Sequence, residues 1–283
     1  MSTTPQQTMP AGLDPASLEQ VERAAQKRIR QRQLLVISLR IAVLVVVLGG
    51  WELAARLKWI DPFFFSMPSA IFDQIVEWFV NGTSQGPLLT QVWVTLEETG
   101  LGFIIGSVAG VFCGIVLGRN KLPSDVFSLY IKIANSIPRV VLGSVFVIAL
   151  GLGMASKVAL AVVMVFFVVF ANAFQGVREA DRYMIANAQI LGASRRQVTT
   201  SVVIPSALSW ILASLHVSFG FALVGAFLGS KQGIGLLIST AQGAFNASGV
   251  FAAMIVLAVV ALAADYLLTA VEQRLLKWRP AAM

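Results

Sequence analysis

Side chains able to do chemistry are few in this sequence, and their spacing does not suit catalysis. The single histidine, His216, and the single cysteine, Cys113, lie far apart and form no metal-ligand cluster. Cys113 sits inside an apolar run, so we interpret it as an inert small hydrophobic residue. The sequence has no Gly-x-x-x-x-Gly-Lys-Ser/Thr phosphate loop, since the nearest fragment, 151–157, has the wrong spacing. These features predict a chain that is not an enzyme and has no cofactor.

Two ionisable residues within apolar segments leave alternatives open. His216 is either a functional intramembrane group or a hydrogen-bond partner for a neighbouring helix, and the sequence favours the hydrogen bond. Asp265 either pairs with Arg274 or another basic residue or reaches water at the inner interface. An integral membrane enzyme is disfavoured because these residues and Glu52 lack paired spacing. An ion-coupled transporter or channel is disfavoured because the predicted spans are nearly free of carboxylates.

The composition indicates a membrane protein. Of 283 residues, 57% are hydrophobic and 12% are charged, whereas soluble domains have about 45–50% apolar and about 25% charged residues. So few polar residues cannot cover a soluble enzyme of this length, and the high apolar content excludes intrinsic disorder. The formal net charge of +7 does not indicate nucleic-acid binding, because the basic residues lie at the ends of apolar runs.

The apolar runs predict an all-α polytopic protein with six transmembrane helices, since about 20 apolar residues cross a bilayer as a helix. The predicted spans are 34–51, 99–118, 140–156, 158–177, one within 197–230 and one within 232–264. Residues 1–33 are a polar N-terminal segment, and residues 34–280 are predicted to form the transmembrane domain. Pro138 predicts a helix break before the third span, after an interfacial segment at 124–134.

The basic residues predict the orientation. With a cytoplasmic N-terminus, all but four of the 21 Lys and Arg residues fall on the cytoplasmic side. The exceptions are Arg56, Lys58, Lys157 and Lys231. The positive-inside rule therefore predicts that both termini are cytoplasmic. In the first outer loop, residues 69–80 carry apolar side chains at helical spacing with polar side chains on the opposite face, which predicts an amphipathic helix. A packing role for this helix is favoured over partner docking.

The second span carries a regular glycine repeat. The glycines are Gly102, Gly106, Gly110, Gly114 and Gly118. Intervals of four place them on one helix face, where glycine lets another helix backbone approach closely. The fifth span repeats the pattern more loosely, with Ser214, Ser218, Ala222 and Ala226. Both patterns predict tight helix packing and contain no information about a substrate.

The loop at 178–205 is the longest cytoplasmic connection between predicted spans. Helical spacing is found at Tyr183, Met184, Asn187 and Leu191. Gly192 is suited to end this short helix, Ser194 to cap the next one, and Pro205 to begin the fifth span. A connector between packed helices needs about two to eight residues. The length therefore favours a protein-docking element over a simple connection.

This loop resembles that of binding-protein-dependent ABC importer permeases. Their pattern is Glu-Ala-Ala, three residues, Gly, nine residues, Ile, one residue, Leu-Pro. The matching residues are Ala186, Asn187, Ala188, Gly192, Val202, Ile204 and Pro205, with the spacing kept throughout. Ala186 replaces the pattern's glutamate and Asn187 its first alanine, so a charged contact there is missing or shifted.

Residues 35–280 as a whole are similar to the nitrate/sulfonate/taurine branch of these permeases. The matching pieces are Trp51-Glu52, Pro68-Ser69, Gly118-Arg119, 136–138, 151–153, 191–195, 233–235 and 272–280. The branch usually carries about four more residues, including a glutamate, after 222–226, about one helical turn. Here Phe227, Leu228, Gly229 and Ser230 follow at once, which implies a shorter outer end of the fifth span.

The resemblance implies a type I ABC importer permease in the bacterial inner membrane. Two copies in contact with lipid would form a homodimeric path, and separate ABC ATPase subunits would dock the 180–200 loops. An external solute-binding protein would deliver a small solute such as a sulfonate, nitrate or carboxylate anion. The residues implied to couple to the ATPase are Ala186, Asn187, Ala188, Leu191, Gly192, Ala193, Ser194, Arg195 and Arg196.

Overall fold

A computed structural model describes residues 15–119, 121–227 and 231–275. Residues 1–14, most of the predicted departure at 227–230, and the basic residues Lys277 and Arg279 lie outside these ranges. Apart from one isolated bridge between Thr83 and Gly86, the regular structure in the described ranges is helical. The predicted all-α architecture is therefore confirmed for this part of the chain.

The helices run from one apolar segment to the next. Their bounds are α1 Pro15–Arg56, α2 Pro62–Phe65, α3 Pro68–Val80, α4 Leu88–Gly118, α5 Lys121–Ser136, α6 Leu142–Leu150, α7 Met154–Arg178, α8 Arg182–Ile190, α9 Arg195–Val198, α10 Ile204–Phe227, α11 Ile234–Gly243 and α12 Ala247–Leu275. A 3₁₀ turn, Arg139–Val141, precedes α6, and a π-helical turn, Thr199–Val203, joins α9 to α10. The chain up to Pro62 and the chain from Phe63 onward form two separate compact units.

Five helices in the described ranges are long and apolar enough to cross a membrane. They are Gln26–Arg56, Leu88–Gly118, Met154–Arg178, Arg195–Phe227 and Ala247–Arg274. The predicted third span is shorter than expected, because the apolar helix Arg139–Leu150 rises only about 18 Å at about 1.5 Å per residue. Pro138 separates this helix from α5, which ends at Ser136, so the predicted helix break is confirmed.

The last predicted span is divided into two helices. α11 ends at Gly243. Phe245 has a positive φ of 55°, which a right-handed helix cannot contain, so the helix stops before it. The Asn246 Oδ1 atom then accepts a hydrogen bond from the Gly249 backbone N–H at 2.9 Å, at the start of α12. The apolar stretch thus contains a turn that hydropathy alone does not reveal.

The amphipathic helix predicted at 69–80 is α3. It buries Ile71 and Trp78 and packs on α12. Several of its apolar side chains remain exposed in the monomer, among them Phe72, Val76 and Phe79. One face of this helix packs on the protein and another apolar face is uncovered. Such a helix is suited to the membrane interface, where lipid headgroups meet the acyl chains.

Three helices, α4, α7 and α10, form the core of the second unit. Ala161 of α7 lies between Gly102 of α4 and Gly225 of α10, with no room for a Cβ atom on either glycine. The fifth-span small residues Ser214, Ser218, Ala222 and Ala226 are all buried. Close backbone approach replaces the hydrophobic effect as the source of helix association in lipid.

Each of the five repeated glycines in α4 faces α7. A Cβ atom on Gly106 would lie 2.8 Å from the Val162 carbonyl oxygen, and one on Gly114 would lie 2.9 Å from the Phe170 carbonyl oxygen. Gly118 reaches the side chain of Val177 in the last turn of α7. The four-residue spacing therefore forms one continuous contact along the C-terminal half of α4 and most of α7.

Replacing Gly110 by leucine should lower the free energy of unfolding by about 1–3 kcal/mol, the usual cost of overpacking. A Cβ atom there would meet the Phe166 carbonyl oxygen at 2.9 Å and the Phe170 backbone nitrogen at 3.0 Å. Thermal melting of the purified chain in detergent measures the change. Gly100→Leu is the matched control on the same helix, because nothing lies within 4 Å of its Cβ position. Equal melting temperatures for the two variants would contradict the tight α4–α7 contact.

Candidate functional site

The 178–205 loop folds into two short helices joined by a sharp turn. α8 begins after Asp181, whose carboxylate accepts a hydrogen bond from the Tyr183 backbone N–H at 2.8 Å. This side chain satisfies one of the amide groups that a helix start leaves free. The helical spacing of the sequence predicts this helix but does not identify Asp181 as its cap.

Gly192 ends α8 with a left-handed residue at φ 84°. The Ala193 N–H donates to the Ala188 carbonyl at 3.0 Å, and the Gly192 N–H donates to the Gln189 carbonyl at 3.0 Å. These paired bonds define a Schellman motif, which favours glycine at the left-handed position. The chain direction after α8 therefore depends on this one glycine.

Ser194 then starts α9 with a capping box. The Ser194 Oγ accepts from the Gln197 N–H at 3.3 Å, and the Gln197 Oε1 accepts from the Ser194 N–H at 2.8 Å. Reciprocal bonds of this kind are the signature of Ser-x-x-Gln at a helix start. We refer to α8, its glycine turn and α9, residues 182–198, as the elbow.

The inner side of the elbow is fixed to the helical core. Ile185, Ala188 and Ala193 pack against a cluster of buried residues from the end of α7, the elbow and the start of α10. The buried members are Ala173, Val177, Ala180, Val198, Val203, Ala207 and Ile211. The elbow and the adjoining ends of α7 and α10 are therefore packed together, and such close-packed contacts have low compressibility.

The outer side of the elbow is exposed and apolar. Tyr183, Ile190 and Leu191 are 82%, 82% and 86% exposed, and Met184 is also exposed. Of the nine residues implied to couple to an ATPase, only Ala188 and Ala193 face the core. The others, Ala186, Asn187, Leu191, Gly192, Ser194, Arg195 and Arg196, are exposed on the same projection. The structure thus brings the set together around a single turn.

A π-helical turn connects the elbow to α10. Thr199–Val203 lies between α9 and α10 without a loop, and the Thr199 hydroxyl donates to the Arg195 carbonyl at 2.8 Å. Such turns are rare and occur often at functional sites. α9 and α10 thus form one continuous helical segment that contains a single irregular turn.

A buried ion pair lies at the opposite end of α4, and the sequence interpretation missed it. The Lys157 ammonium donates to both oxygens of Glu98, at 2.7 and 2.8 Å, and to the Gln232 carbonyl at 2.9 Å. The Lys157 and Glu98 side chains are 1% and 5% exposed. The sequence predicts Lys157 on the outer side, between the third and fourth predicted spans. The structure places it inside α7, paired with a buried carboxylate one residue before the predicted second span.

The same face of α4 holds the segment that leads into α11. The Gln91 Oε1 accepts from the Gly233 N–H at 2.8 Å, and the Thr95 Oγ1 accepts from the Ile234 N–H at 2.9 Å. Gln91, Thr95 and Glu98 fall at helical spacing i, i+4 and i+7, which is the signal that could have revealed a polar face. Their partners lie about 60 to 140 residues away in the sequence, so the pairing itself had no local signal.

His216 bridges α10 to α12. Its Nδ1 atom lies 2.6 Å from the Asp265 Oδ1, and its Nε2 atom lies 3.0 Å from the Glu272 Oε2. The expectation that His216 bonds to a neighbouring helix is correct, and Asp265 pairs with this histidine rather than with Arg274. Within the ranges that the structure describes, no group of three His, Cys, Asp or Glu residues is arranged to hold a metal ion.

Comparison with known proteins identifies a family match. The family model of the binding-protein-dependent transport system inner membrane component matches residues 106–277. The chain is 27% identical over 238 residues to the putative aliphatic sulfonates transport permease protein SsuC of Bacillus subtilis, covering 83% of this chain and 85% of that protein. It is 28% identical to the taurine transport system permease protein TauC of Escherichia coli, covering 86% and 90%. It is 26% identical to the formylaminopyrimidine transport permease protein ThiX of Halalkalibacterium halodurans, covering 88% and 98%.

Solved structures with similar folds are ABC transporters. An inward-facing MetNI methionine ABC transporter aligns with a TM-score of 0.56 and 19% identity, covering 67% of this chain and 94% of that one. An amino acid ABC transporter with histidines aligns with a TM-score of 0.52 and 20% identity, covering 66% and 93%. At these identities the likeness shows the fold alone, and it confirms the predicted ABC importer permease-like architecture.

Proposed function

The chain belongs to the family of binding-protein-dependent transport system inner membrane components, and from that premise we propose that its elbow docks a separate ABC ATPase subunit. It is a transport subunit of an ABC transporter, not an enzyme. The observation that carries the docking proposal is the exposed apolar face of the elbow, formed by Tyr183, Met184, Ile190 and Leu191. Large aromatic and aliphatic side chains exposed on a short rigid projection are suited to a pocket on a partner.

The elbow also has the connections that coupling requires. Its inner side is packed against α7 and α10, and α9 continues through the π-helical turn into α10. A push on the elbow by closing ATPase subunits would therefore rotate or shift two of the three core helices together. The close glycine contacts between α4 and α7 would allow sliding between discrete packing arrangements, as interfaces of this kind do in switching proteins.

The transported solute is proposed from the relatives. SsuC and TauC are named for aliphatic sulfonates and for taurine, and both names denote small molecules with a sulfonate group. We propose that this chain forms the path for a small sulfonate-type anion delivered by an external binding protein. Permeases of this family share one fold although their names refer to different solutes. The binding protein, rather than this chain, would therefore set most of the specificity.

Assembly and orientation complete the proposal. Two copies would form a homodimer around a central path, surrounded by membrane lipid, with each elbow facing one ATPase. Both termini and the 178–205 loop would face the cytoplasm, because the basic residues concentrate on that side. Residues 1–33 would be a cytoplasmic segment preceding the permease domain at 34–280.

Purification of the chain from mild detergent, followed by mass spectrometry, tests the docking proposal. The unaltered chain should recover an ABC ATPase. Tyr183→Ala/Leu191→Ala should reduce that recovery at least about tenfold, since central apolar contacts each contribute about 1–2 kcal/mol to an interface.

Leu129→Ala/Tyr130→Ala is the matched control. It removes the same two residue types from α5, where both side chains are 60% exposed, and it should recover the ATPase normally. Equal losses from the two double variants would contradict docking at the elbow. Absence of an ATPase from the unaltered chain would contradict the whole assembly.

A further inference from the structure

A cleft of about 470 Å³ lies between the elbow and the ends of two core helices. Gly118 and Arg119 line it from the end of α4, Val177 and Arg178 from the end of α7, and Arg182 from α8. A second part, which shares Arg119 and the end of α7, extends toward Arg195. The cleft is therefore bordered by four arginines.

Positive charge in this cleft is poorly balanced. Among the residues whose side chains the structure describes, Asp125 is the one carboxylate that lines the cleft, and its Oδ1 atom lies 3.9 Å from the Arg178 Nη2, with both side chains exposed. Among the described residues, no carboxylate forms an ion pair with Arg119, Arg182 or Arg195. Four guanidinium groups thus border one concave surface, with Asp125 beside Arg178 as the described counter-charge, an arrangement that attracts a polyvalent or strongly acidic anion.

The helix dipole explains only part of this arrangement. Arg119 and Arg178 lie at the C-terminal ends of α4 and α7, where a cation is favourable without any ligand. Arg182 is different, because it is the first residue of α8, where the helix dipole disfavours a cation. Its position on the cleft wall is therefore not accounted for by its own helix.

The walls of the cleft are mixed in character. Val177 and Ile185 give it an apolar side, while the arginines and Gln189 give it a polar side. α4 and α7 are both apolar enough to cross a membrane, so their ends lie at the depth of lipid headgroups. A phosphate diester attached to an acyl glycerol would meet both kinds of wall, whereas a free inorganic phosphate would meet only the polar one.

We propose that this cleft binds the phosphate group of an anionic phospholipid of the phosphatidylglycerol type. Basic pockets at the cytoplasmic ends of membrane helices are suited to such headgroups. A lipid bound here would contact α4, α7 and α8 at once and would brace the inner side of the elbow. The inference goes beyond the proposed docking of an ATPase, because the cleft is distinct from the elbow's exposed apolar face.

Native mass spectrometry of the full-length chain, purified in an uncharged detergent with added phosphatidylglycerol, tests the proposal. The unaltered chain should retain the lipid, and Arg119→Gln/Arg182→Gln should retain it about 25-fold more weakly, from about fivefold per basic residue removed. Arg30→Gln/Arg274→Gln removes the same charge outside the cleft and should bind within about twofold of the unaltered chain. Arg119→Lys/Arg182→Lys should restore much of the retention, which separates loss of charge from loss of fold.

Three results would overturn the proposal. The first is equal lipid retention by the two glutamine double variants. The second is displacement of the lipid by millimolar inorganic phosphate, together with a rise in melting temperature equal to the rise that the lipid produces. That result would assign the cleft to a soluble anion. The third is loss of ATPase recovery by Arg119→Gln/Arg182→Gln in lipid-free detergent with lipid retention unchanged, which would assign the arginines to a protein contact.

Discussion

Replacing Lys157 by methionine is expected to lower the free energy of unfolding by about 3–5 kcal/mol, the usual result of breaking a buried ion pair from one side. The ammonium group makes two bonds to Glu98 and one to the Gln232 carbonyl, and its removal leaves a carboxylate 5% exposed without a cation. Methionine keeps nearly the same length and flexibility, so the change in packing is small. Thermal melting of the purified chain in detergent measures the loss.

Two further variants identify the cause. Lys231→Met removes an exposed lysine from the neighbouring segment and should melt like the unaltered chain. Glu98→Leu/Lys157→Met removes both charges and should recover most of the loss, because paired charges replaced by apolar groups of similar size cost little. If Lys157→Met alone melted normally, the pair would not contribute to stability, and the carboxylate would be neutral or hydrated in the folded protein.

This ion pair bears on how the chain works. A buried carboxylate in a membrane span is often a site for coupling transport to protons or sodium. Glu98 has both of its oxygens bonded to one ammonium group, and that ammonium also holds the backbone at Gln232. Together with the bonds from Gln91 and Thr95 to the start of α11, the pair fastens the segment before α11 to α4. Its geometry is that of a structural clamp, which agrees with energy coming from a separate ATPase.

The parts of the molecule that the sequence predicted are those with local rules. The four-residue glycine repeat in α4 predicted a close helix contact, and the Gly192 and Ser194 signals predicted where α8 ends and α9 begins. Helix ends depend on hydrogen bonds between residues three to five apart. All the partners therefore lie within one short stretch of sequence. The loop pattern that carries the family resemblance, at 186–205, includes the same Gly192.

The parts that the sequence did not predict depend on distant partners. Glu98 and Lys157 are 59 residues apart, and Gln91 and Gly233 are 142 residues apart. Each of these polar residues had a plausible solvated position when considered alone. The turn between α11 and α12 was missed for a related reason, since hydropathy averages over the turn that Phe245 makes within an apolar stretch. The third span is shorter than its apolar run because α6 ends at Leu150, where Gly151 and Gly153 adopt positive φ angles.

Replacing Gly192 by valine is expected to reduce ATP-driven uptake by about 5- to 30-fold while the helical core stays folded. A β-branched residue in the left-handed region costs about 1–2 kcal/mol, and that amount shifts a conformational equilibrium by such a factor. No atom lies within 4 Å of the Cβ position at Gly192, so the effect acts through backbone conformation and not through a clash. Uptake into proteoliposomes containing the permease, its ATPase and its binding protein measures the change.

Gly192→Asn is the matched control for this experiment. Asparagine enters the left-handed region more readily than other residues with a side chain, so it can keep the Schellman turn and should retain most of the uptake. Both variants should melt near the unaltered chain, because the α4, α7 and α10 contacts do not include Gly192. The direction of the chain between α8 and α9 would then be what uptake depends on. Equal uptake by the valine and asparagine variants would contradict this dependence on chain direction. It would also contradict the proposal that the elbow transmits force to α10.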